Sequence, residues 1–246
     1  MSATAPFWLS AFLDFTDHDF ERGVVFWAEV TGSRVSAPRG EDLEFATLVP
    51  RHGDAVLRVQ RLVEGHSGLH LDLHVTDPRA AAARAVDLGA VEVADHGYVV
   101  MRSPAGLTFC FVTHHVSRPP TPVAWPGGRS AVDQVCLDVG PASYDAECAF
   151  WQELTGFAPT PTVPPDGEFR RLDGPGPLRI LLQRLDDDRE PGFHLDLSAD
   201  DRAAEVTRHQ RLGATVTAEH PQWTVLTDPT GTTYCVTDRS PVPTVG

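Results

Sequence analysis

The chain has 246 residues, of which 41% are hydrophobic, and its formal net charge is −14. This apolar content is typical of a chain that buries a core, and it excludes a disordered protein. The acidic balance is unfavourable for contact with phosphates, so we expect no nucleic-acid partner.

The N-terminal region shows no targeting or membrane signal. It has no basic leader, and Asp14 interrupts its apolar run after a few residues. No segment is long enough to cross a membrane, so we expect neither a signal peptide nor a membrane partner. The four cysteines show no C-x-x-C spacing, which favours reduced thiols and a cytoplasmic location.

In chain order, the first strong pattern is the stretch GLHLDLHVTDPRAAAARAVDLGA, residues 68–90. It contains a strand with alternating leucines, followed by Asp77 as the N-cap of a helix that begins at Pro78. The pattern returns at residues 192–214, at an offset of 124, with eleven of 23 positions identical. There we expect Asp200 to be the N-cap of the corresponding helix. A repeat of about half the chain length predicts two domains.

The second half shows the order of elements most clearly. Apolar residues that alternate with polar ones from Val135 to Val139 predict a strand. A helix is predicted over 144–155, with Gly156 just past its end. Short apolar runs then predict further strands, and the last three have the sequences TVTAE, WTVLT and TYCVT. The repeating unit is therefore one strand, one helix and three strands.

This βαβββ module is predicted twice in each half and four times in the chain. We expect one domain over residues 7–116 and a second over 131–238. The intervening residues 117–130 are rich in proline and glycine, which predicts an extended linker. Trp27 and Trp151 occupy matching predicted helices, where we expect them to anchor the packing.

Paired βαβββ modules with a D-P-x-G turn before the last strand, here residues 228–231, resemble the vicinal oxygen chelate superfamily. That superfamily includes glyoxalase I, bleomycin-resistance proteins and extradiol dioxygenases, and the similarity covers nearly the whole chain outside the linker. The resemblance implies an α+β fold, in which four βαβββ modules pair into two tandem glyoxalase-like domains with curved mixed sheets. It also implies a cleft on the concave side of each sheet and helices on the convex side.

The resemblance further implies where a divalent metal would bind. In metal-using members, the first strand of each module supplies a His or Gln, and its last strand supplies a Glu. The corresponding positions are Ser10, Gln60, His70 and Cys110 in the first half and Gln134, Gln183, His194 and Cys235 in the second. None of these eight candidate ligand-binding residues is a carboxylate. Asp138 and Asp196 lie four and two residues beyond the usual positions, so we expect no metal cofactor.

His70 and Asp72 alternate with leucines on one predicted strand, and His194 and Asp196 do the same on its repeat. The leucines suit the helix-covered face, which leaves each His–Asp pair on the concave face. Two explanations stay open. Each pair forms a polar patch held by internal hydrogen bonds, or it faces a ligand.

Three functional hypotheses follow from these patterns. The main one is a glyoxalase-like binding protein that holds or sequesters an antibiotic or metabolite in a concave cleft without a metal. The second is a metal-free lyase or isomerase with His194 as general base and Asp196 tuning it. The third is a metal-dependent lyase or dioxygenase. The sequence therefore leaves open whether the protein is an enzyme. It also leaves open whether the chain forms a homodimer. We expect a small-molecule ligand, and the second domain is the better candidate because it has Gln134 where the first has Ser10.

Overall fold

The computed structural model describes residues 3–161 and 167–241. The helices within these residues are α1 (Asp17–Thr31), α2 (Pro78–Asp87), α3 (Tyr144–Thr155) and α4 (Arg202–Arg211). The strands of the first half are β1 (Trp8–Thr16), β2 (Arg34–Val35), β3 (Phe45–Val49), β4 (Leu57–Leu62), β5 (Gly68–His74), β6 (Val91–Asp95), β7 (Val99–Arg102) and β8 (Thr108–Val112). The later strands are β9 (Val123–Trp125), β10 (Gly128–Val139), β11 (Ala158–Thr160), β12 (Phe169–Asp173), β13 (Arg179–Arg184), β14 (Gly192–Ala199), β15 (Thr215–Glu219), β16 (Trp223–Thr227) and β17 (Thr233–Thr237).

The strands form two curved mixed sheets with matching topology. The order of the first sheet is β2-β3-β4-β1-β5-β8-β7-β6, and that of the second is β11-β12-β13-β10-β14-β17-β16-β15. Strands β5 and β8 pair in parallel in the first sheet, and β14 and β17 pair in parallel in the second. The α+β fold of four βαβββ modules in two tandem glyoxalase-like domains is therefore confirmed.

The predicted ends of α2 and α3 are confirmed. Helix α3 ends before Gly156, which has the left-handed φ of 68° that glycine adopts without strain. The N-cap of α2 is Asp77, whose side chain accepts a hydrogen bond from Ala80 N at 3.0 Å. Within the part of the chain that the structure describes, no helix is both long and apolar enough to span a membrane.

The predicted N-cap of α4 was wrong by one residue. The cap is Asp201, whose side chain accepts from Ala204 N at 2.9 Å, as Asp77 does in the first half. Asp200 instead accepts hydrogen bonds from the backbone and side chain of Arg129. The offset of 124 that relates the two halves aligns Asp77 with Asp201 and not with Asp200, and helix α4 begins directly after Asp201.

The predicted linker contains regular structure. Strand β9 pairs antiparallel with the start of β10, in the register Trp125 with Gly128. This hairpin joins part of residues 117–130 to the second sheet. The domain limits 7–116 and 131–238 stay predictions.

The chain forms two compact units, and each contains modules from both halves of the sequence. Unit 1 comprises the described parts of residues 1–11, 70–117 and 135–193, and it includes α2 and α3. Unit 2 comprises the described parts of residues 12–69, 118–134 and 194–246, and it includes α1 and α4.

Each unit has an aromatic core around one tryptophan. In unit 2, Trp27 lies edge-on to Tyr234 with ring centroids 5.1 Å apart, and its Nε1 donates to Asp228 Oδ2 at 2.8 Å. In unit 1, Trp151 lies 5.2 Å from Phe109 in the same kind of contact. Both tryptophans are fully buried, which confirms them as packing anchors.

In each unit an arginine on one helix binds the C-terminal end of the other helix. Arg84 of α2 donates to Leu154 O of α3 at 2.7 Å in unit 1. Arg208 of α4 donates to Val30 O and Glu29 O of α1 in unit 2, at 2.7 and 3.1 Å. Neither α1 nor α3 has a basic residue in its own last turn. The neighbouring helix therefore supplies the cation that the negative end of the helix dipole favours.

Unit 2 also contains a buried polar chain on its helix side. Tyr234 Oη lies 3.0 Å from His209 Nδ1, and His209 Nε2 lies 3.1 Å from Glu205 Oε1. Burial lowers the pKa of His209, which favours the neutral ring. Burial alone would raise the pKa of Glu205, but hydrogen bonds from Arg208 and His209 outweigh it and lower that pKa to about 2.

Candidate functional site

The parallel pair β14 and β17 determines which side chains share a face of unit 2. Leu195 lies opposite Tyr234, whose ring contacts His209 of helix α4, so these residues mark the helix-covered face. The next pair in the register is Asp196 with Cys235. Because side chains alternate along a strand, Asp196 and Cys235 point away from the helices.

His194, two residues before Asp196, points to the same face and completes what we call the second His–Asp–Cys group (His194, Asp196 and Cys235). One potential ligand atom from each residue lies within 4.8 Å of the other two. His194 Nε2 and Asp196 Oδ1 are 3.4 Å apart. All three residues are buried, with 7%, 3% and 6% of their surface exposed.

Asp196 is oriented by two neighbours that contact one of its carboxylate oxygens. Gln134 Nε2 donates to Asp196 Oδ2 at 2.5 Å, and Arg239 Nη1 lies 3.8 Å from the same oxygen. Arg239 is itself held by Asp133, at 2.5 Å. The other oxygen, Asp196 Oδ1, is buried and accepts no hydrogen bond from the residues that the structure describes.

The charge on this carboxylate follows from its surroundings. Burial raises the pKa of Asp196, but the hydrogen-bonding and charged neighbours His194, Arg239 and Gln134 outweigh burial. The pKa of Asp196 is therefore lowered, and the side chain is an ionised carboxylate at neutral pH.

Unit 1 contains the equivalent first His–Asp–Cys group (His70, Asp72 and Cys110). Strands β5 and β8 pair Asp72 with Cys110, in the same register as in unit 2. Here His70 Nε2 and Asp72 Oδ1 are 3.9 Å apart, so the group is more open. Ser10, at the position of Gln134, forms a hydrogen bond of 2.8 Å with His74 Nε2.

The structure brings together only some of the eight candidate positions. Gln183 belongs to unit 1, where its side chain donates to Glu168 Oε1 at 3.2 Å. Gln60 belongs to unit 2, where it lies opposite Phe45 in the register of β3 and β4. Neither compact unit therefore contains all four positions of one predicted domain.

Sequence reasoning missed Arg239 and Asp133. Asp133 aligns with Leu9 in the repeat, and Arg239 follows the last strand, so no repeated pattern marked either residue. The adjacency of Asp196 and Cys235 was also missed, because it depends on the register of two strands far apart in sequence.

The fold places the chain in the vicinal oxygen chelate superfamily. A family profile described as "Glyoxalase-like domain" matches residues 10–112 and 134–237, and the chain belongs to that family. No curated protein sequence matches the chain.

Solved structures with the same fold are distant in sequence. A mutant of 4-hydroxymandelate synthase from Streptomyces coelicolor has 15% identity and a TM-score of 0.63, over 97% of this chain and 94% of that one. An extradiol ring-cleaving dioxygenase from B. fuscum has 15% identity and a TM-score of 0.64, over 98% of this chain and 74% of that one. A Mn(II)-bound glyoxalase from Novosphingobium aromaticivorans has 18% identity and a TM-score of 0.61, over 95% and 82%.

The expectation of a chain without a metal cofactor is therefore wrong. The fold is shared with a Mn(II)-bound glyoxalase, and each half of the chain assembles a His, an Asp and a Cys within ligand distance of one another. The second group also fits an ion by geometry. Two ligands with bonds of about 2.0–2.1 Å at a tetrahedral angle lie roughly 3.4 Å apart, and His194 Nε2 and Asp196 Oδ1 have that separation. The sequence argument failed because it discounted Asp196, which lies two residues beyond a usual ligand position.

Proposed function

We propose that the chain is a metal-dependent enzyme of the vicinal oxygen chelate type, a lyase, isomerase or dioxygenase that acts on a small molecule with two adjacent oxygen atoms. This proposal replaces the metal-free binding protein expected from the sequence. The observation that carries it is the second His–Asp–Cys group, whose three potential ligand atoms lie within 4.8 Å of one another around a buried, ionised carboxylate. Buried charges in proteins are paired or coordinate a metal ion.

The residues of unit 2 divide into two roles in this proposal. His194, Asp196 and Cys235 would hold the metal, which supplies Lewis-acid polarisation of the substrate oxygens when it is bound. Gln134 and Arg239 hold Asp196 Oδ2 and so direct Oδ1 towards His194. Outer partners of this kind orient a ligand carboxylate and adjust its basicity.

A metal-dependent change in the spectrum of a nitrocatechol tests the proposal, because its two adjacent oxygens chelate an ion. Protein stripped with a chelator should leave the visible spectrum of the probe unchanged, and adding one equivalent of Zn²⁺ or Mn²⁺ per group should shift it. The variant His70→Ala/His194→Ala should lose the shift. The exposed His96, whose ring is tilted against that of Tyr98 outside both groups, provides the control His96→Ala.

The competing outcome is equally clear. Equal affinity of metal-free and metal-loaded protein for the nitrocatechol, with no spectral shift, would favour the binding protein and contradict the proposed enzyme. Turnover is then measured with catechols under oxygen and with hemithioacetals, which separates the dioxygenase from the lyase or isomerase.

We also propose a cytoplasmic location. All four cysteines are buried thiols without disulfides, which suits a reducing compartment. Recovery of the native protein in the secreted fraction of fractionated cells would contradict this.

A further inference from the structure

The two His–Asp–Cys groups contain a thiol as well as nitrogen and oxygen ligands. Asp196 pairs with Cys235, and Asp72 pairs with Cys110, each across a parallel pair of strands. In both groups the sulfur lies within 4.8 Å of the histidine nitrogen and the carboxylate oxygen. The same combination thus occurs twice, at equivalent positions.

The carboxylate of each group comes from the same strand as the histidine. In the second group, the amide of Gln134 donates to Asp196 Oδ2, so Gln134 contacts the ligand carboxylate and supports its orientation. The ligand set is therefore His Nε2, Asp Oδ1 and Cys Sγ, with Gln134 as a positioning residue.

Ligand chemistry decides which ion such a set prefers. Carboxylate and water ligands suit Mg, Ca and Mn, whereas thiolate with imidazole suits zinc and similar borderline ions. We propose, on the basis of the metal-dependent function proposed above, that both groups bind a zinc-like divalent ion through the thiolates of Cys235 and Cys110. Zinc does not change its oxidation state. The ligand set consequently favours lyase or isomerase chemistry without net oxidation over a dioxygenase.

The two groups differ in how well their ligand atoms are placed. The nitrogen–oxygen separation is 3.4 Å in the second group and 3.9 Å in the first, against roughly 3.4 Å for tetrahedral ligands. The second group should therefore fill first in a titration. Replacing Gln134 with Leu should weaken its affinity about 10–100-fold, the usual effect of losing an outer partner, without changing the spectrum of each bound ion.

Cobalt substitution tests the proposal by spectroscopy and needs no substrate. Chelator-stripped protein is titrated with Co²⁺, whose thiolate complexes absorb strongly in the near ultraviolet through charge transfer. The wild type should reach the absorption of two thiolate-bound ions. Cys235→Ser should abolish the first phase of the titration, and Cys110→Ser should abolish the second phase. The double variant Cys110→Ser/Cys235→Ser should lose both phases. The control is Cys148→Ser, because Cys148 is buried outside both groups and should leave the titration unchanged.

The outcomes separate this proposal from the proposed function. Co²⁺ binding without charge transfer, or charge transfer that survives in the double variant, would overturn ligation by Cys110 and Cys235 and leave the metal-dependent function standing. If the protein takes neither Co²⁺ nor Zn²⁺ from a chromophoric chelator, both thiolate ligation and the metal-dependent function are overturned. Should a Cys→Ser variant fail to fold, X-ray absorption of the zinc-loaded wild type decides the question. A sulfur neighbour at about 2.3 Å supports the proposal, and a shell of nitrogen and oxygen alone refutes it.

Discussion

Replacing Tyr234 with Phe should destabilise unit 2 by removing one hydroxyl from its buried polar chain. Glu205 is ionised, because its pKa is lowered to about 2, and it accepts a hydrogen bond from His209 Nε2. The neutral imidazole then carries its proton on Nε2 and accepts at Nδ1. The hydroxyl of Tyr234, 3.0 Å away, is the donor to that nitrogen.

The expected cost follows from what Tyr234→Phe leaves behind. Tyr234 and His209 are both fully buried, so water does not replace the lost donor. A buried acceptor without a partner costs about 1–3 kcal/mol. At roughly 2–4 °C per kcal/mol for a chain of this size, a loss of about 2 kcal/mol lowers Tm by roughly 4–8 °C.

A double-mutant cycle tests this reasoning. The free energy of unfolding in urea is measured for the wild type, Tyr234→Phe, His209→Leu and the double variant. In the His209→Leu background the second change should cost less than about 0.5 kcal/mol, because the unsatisfied nitrogen is gone. An equal cost in both backgrounds would refute the hydrogen-bond explanation and attribute the loss to packing. The matched control is Phe109→Tyr, the reverse change at the equivalent position of unit 1.

Three further predictions concern the helices of unit 2. The pKa of Glu205 is about 2 in the folded chain against an ordinary 4.5, so its roughly 3 kcal/mol of stability is present above pH 4.5 and is lost as the pH falls towards 2. Glu205→Gln should therefore reduce the pH dependence of the free energy of unfolding, measured in urea between pH 6 and 3. An unchanged pH dependence would contradict the lowered pKa of Glu205. Arg208→Gln should lower the free energy of unfolding by about 1–3 kcal/mol, measured by thermal unfolding, because its hydrogen bonds to the end of α1 are lost. An unchanged stability would contradict the role of Arg208 as a cap of α1. Asp201→Ala should cost about 1 kcal/mol of helix stability, whereas Asp200→Ala should leave the amide-exchange protection of α4 unchanged, and the reverse result would restore the original assignment of the cap.

The module order could be predicted from the sequence because each element had a local signal. Alternation, N-caps and glycine C-caps predicted the strands and helices, and β15, β16 and β17 begin and end where their apolar runs do. The packing of modules from different halves had no comparable local signal. It depends on contacts such as Trp151 with Phe109, which join residues far apart in the chain. One clue was available, since Arg84 and Arg208 are identical in the repeat and bind equivalent helix ends.

The candidate site was only partly predictable for the same reason. The alternation of His194 and Asp196 with leucines correctly indicated that both face away from the helices. Their proximity to Cys235 requires the parallel register, which no local pattern encodes. Residue types at the usual ligand positions were therefore a misleading basis for excluding a metal.

The most direct measurement of the central claim is an anomalous difference map from crystals grown with Zn²⁺ and recorded at the zinc absorption edge. We predict a peak within about 2.0–2.3 Å of His194 Nε2, Asp196 Oδ1 and Cys235 Sγ, with a second, weaker peak at His70, Asp72 and Cys110. A map with full-occupancy zinc elsewhere and none at either His–Asp–Cys group would contradict the account.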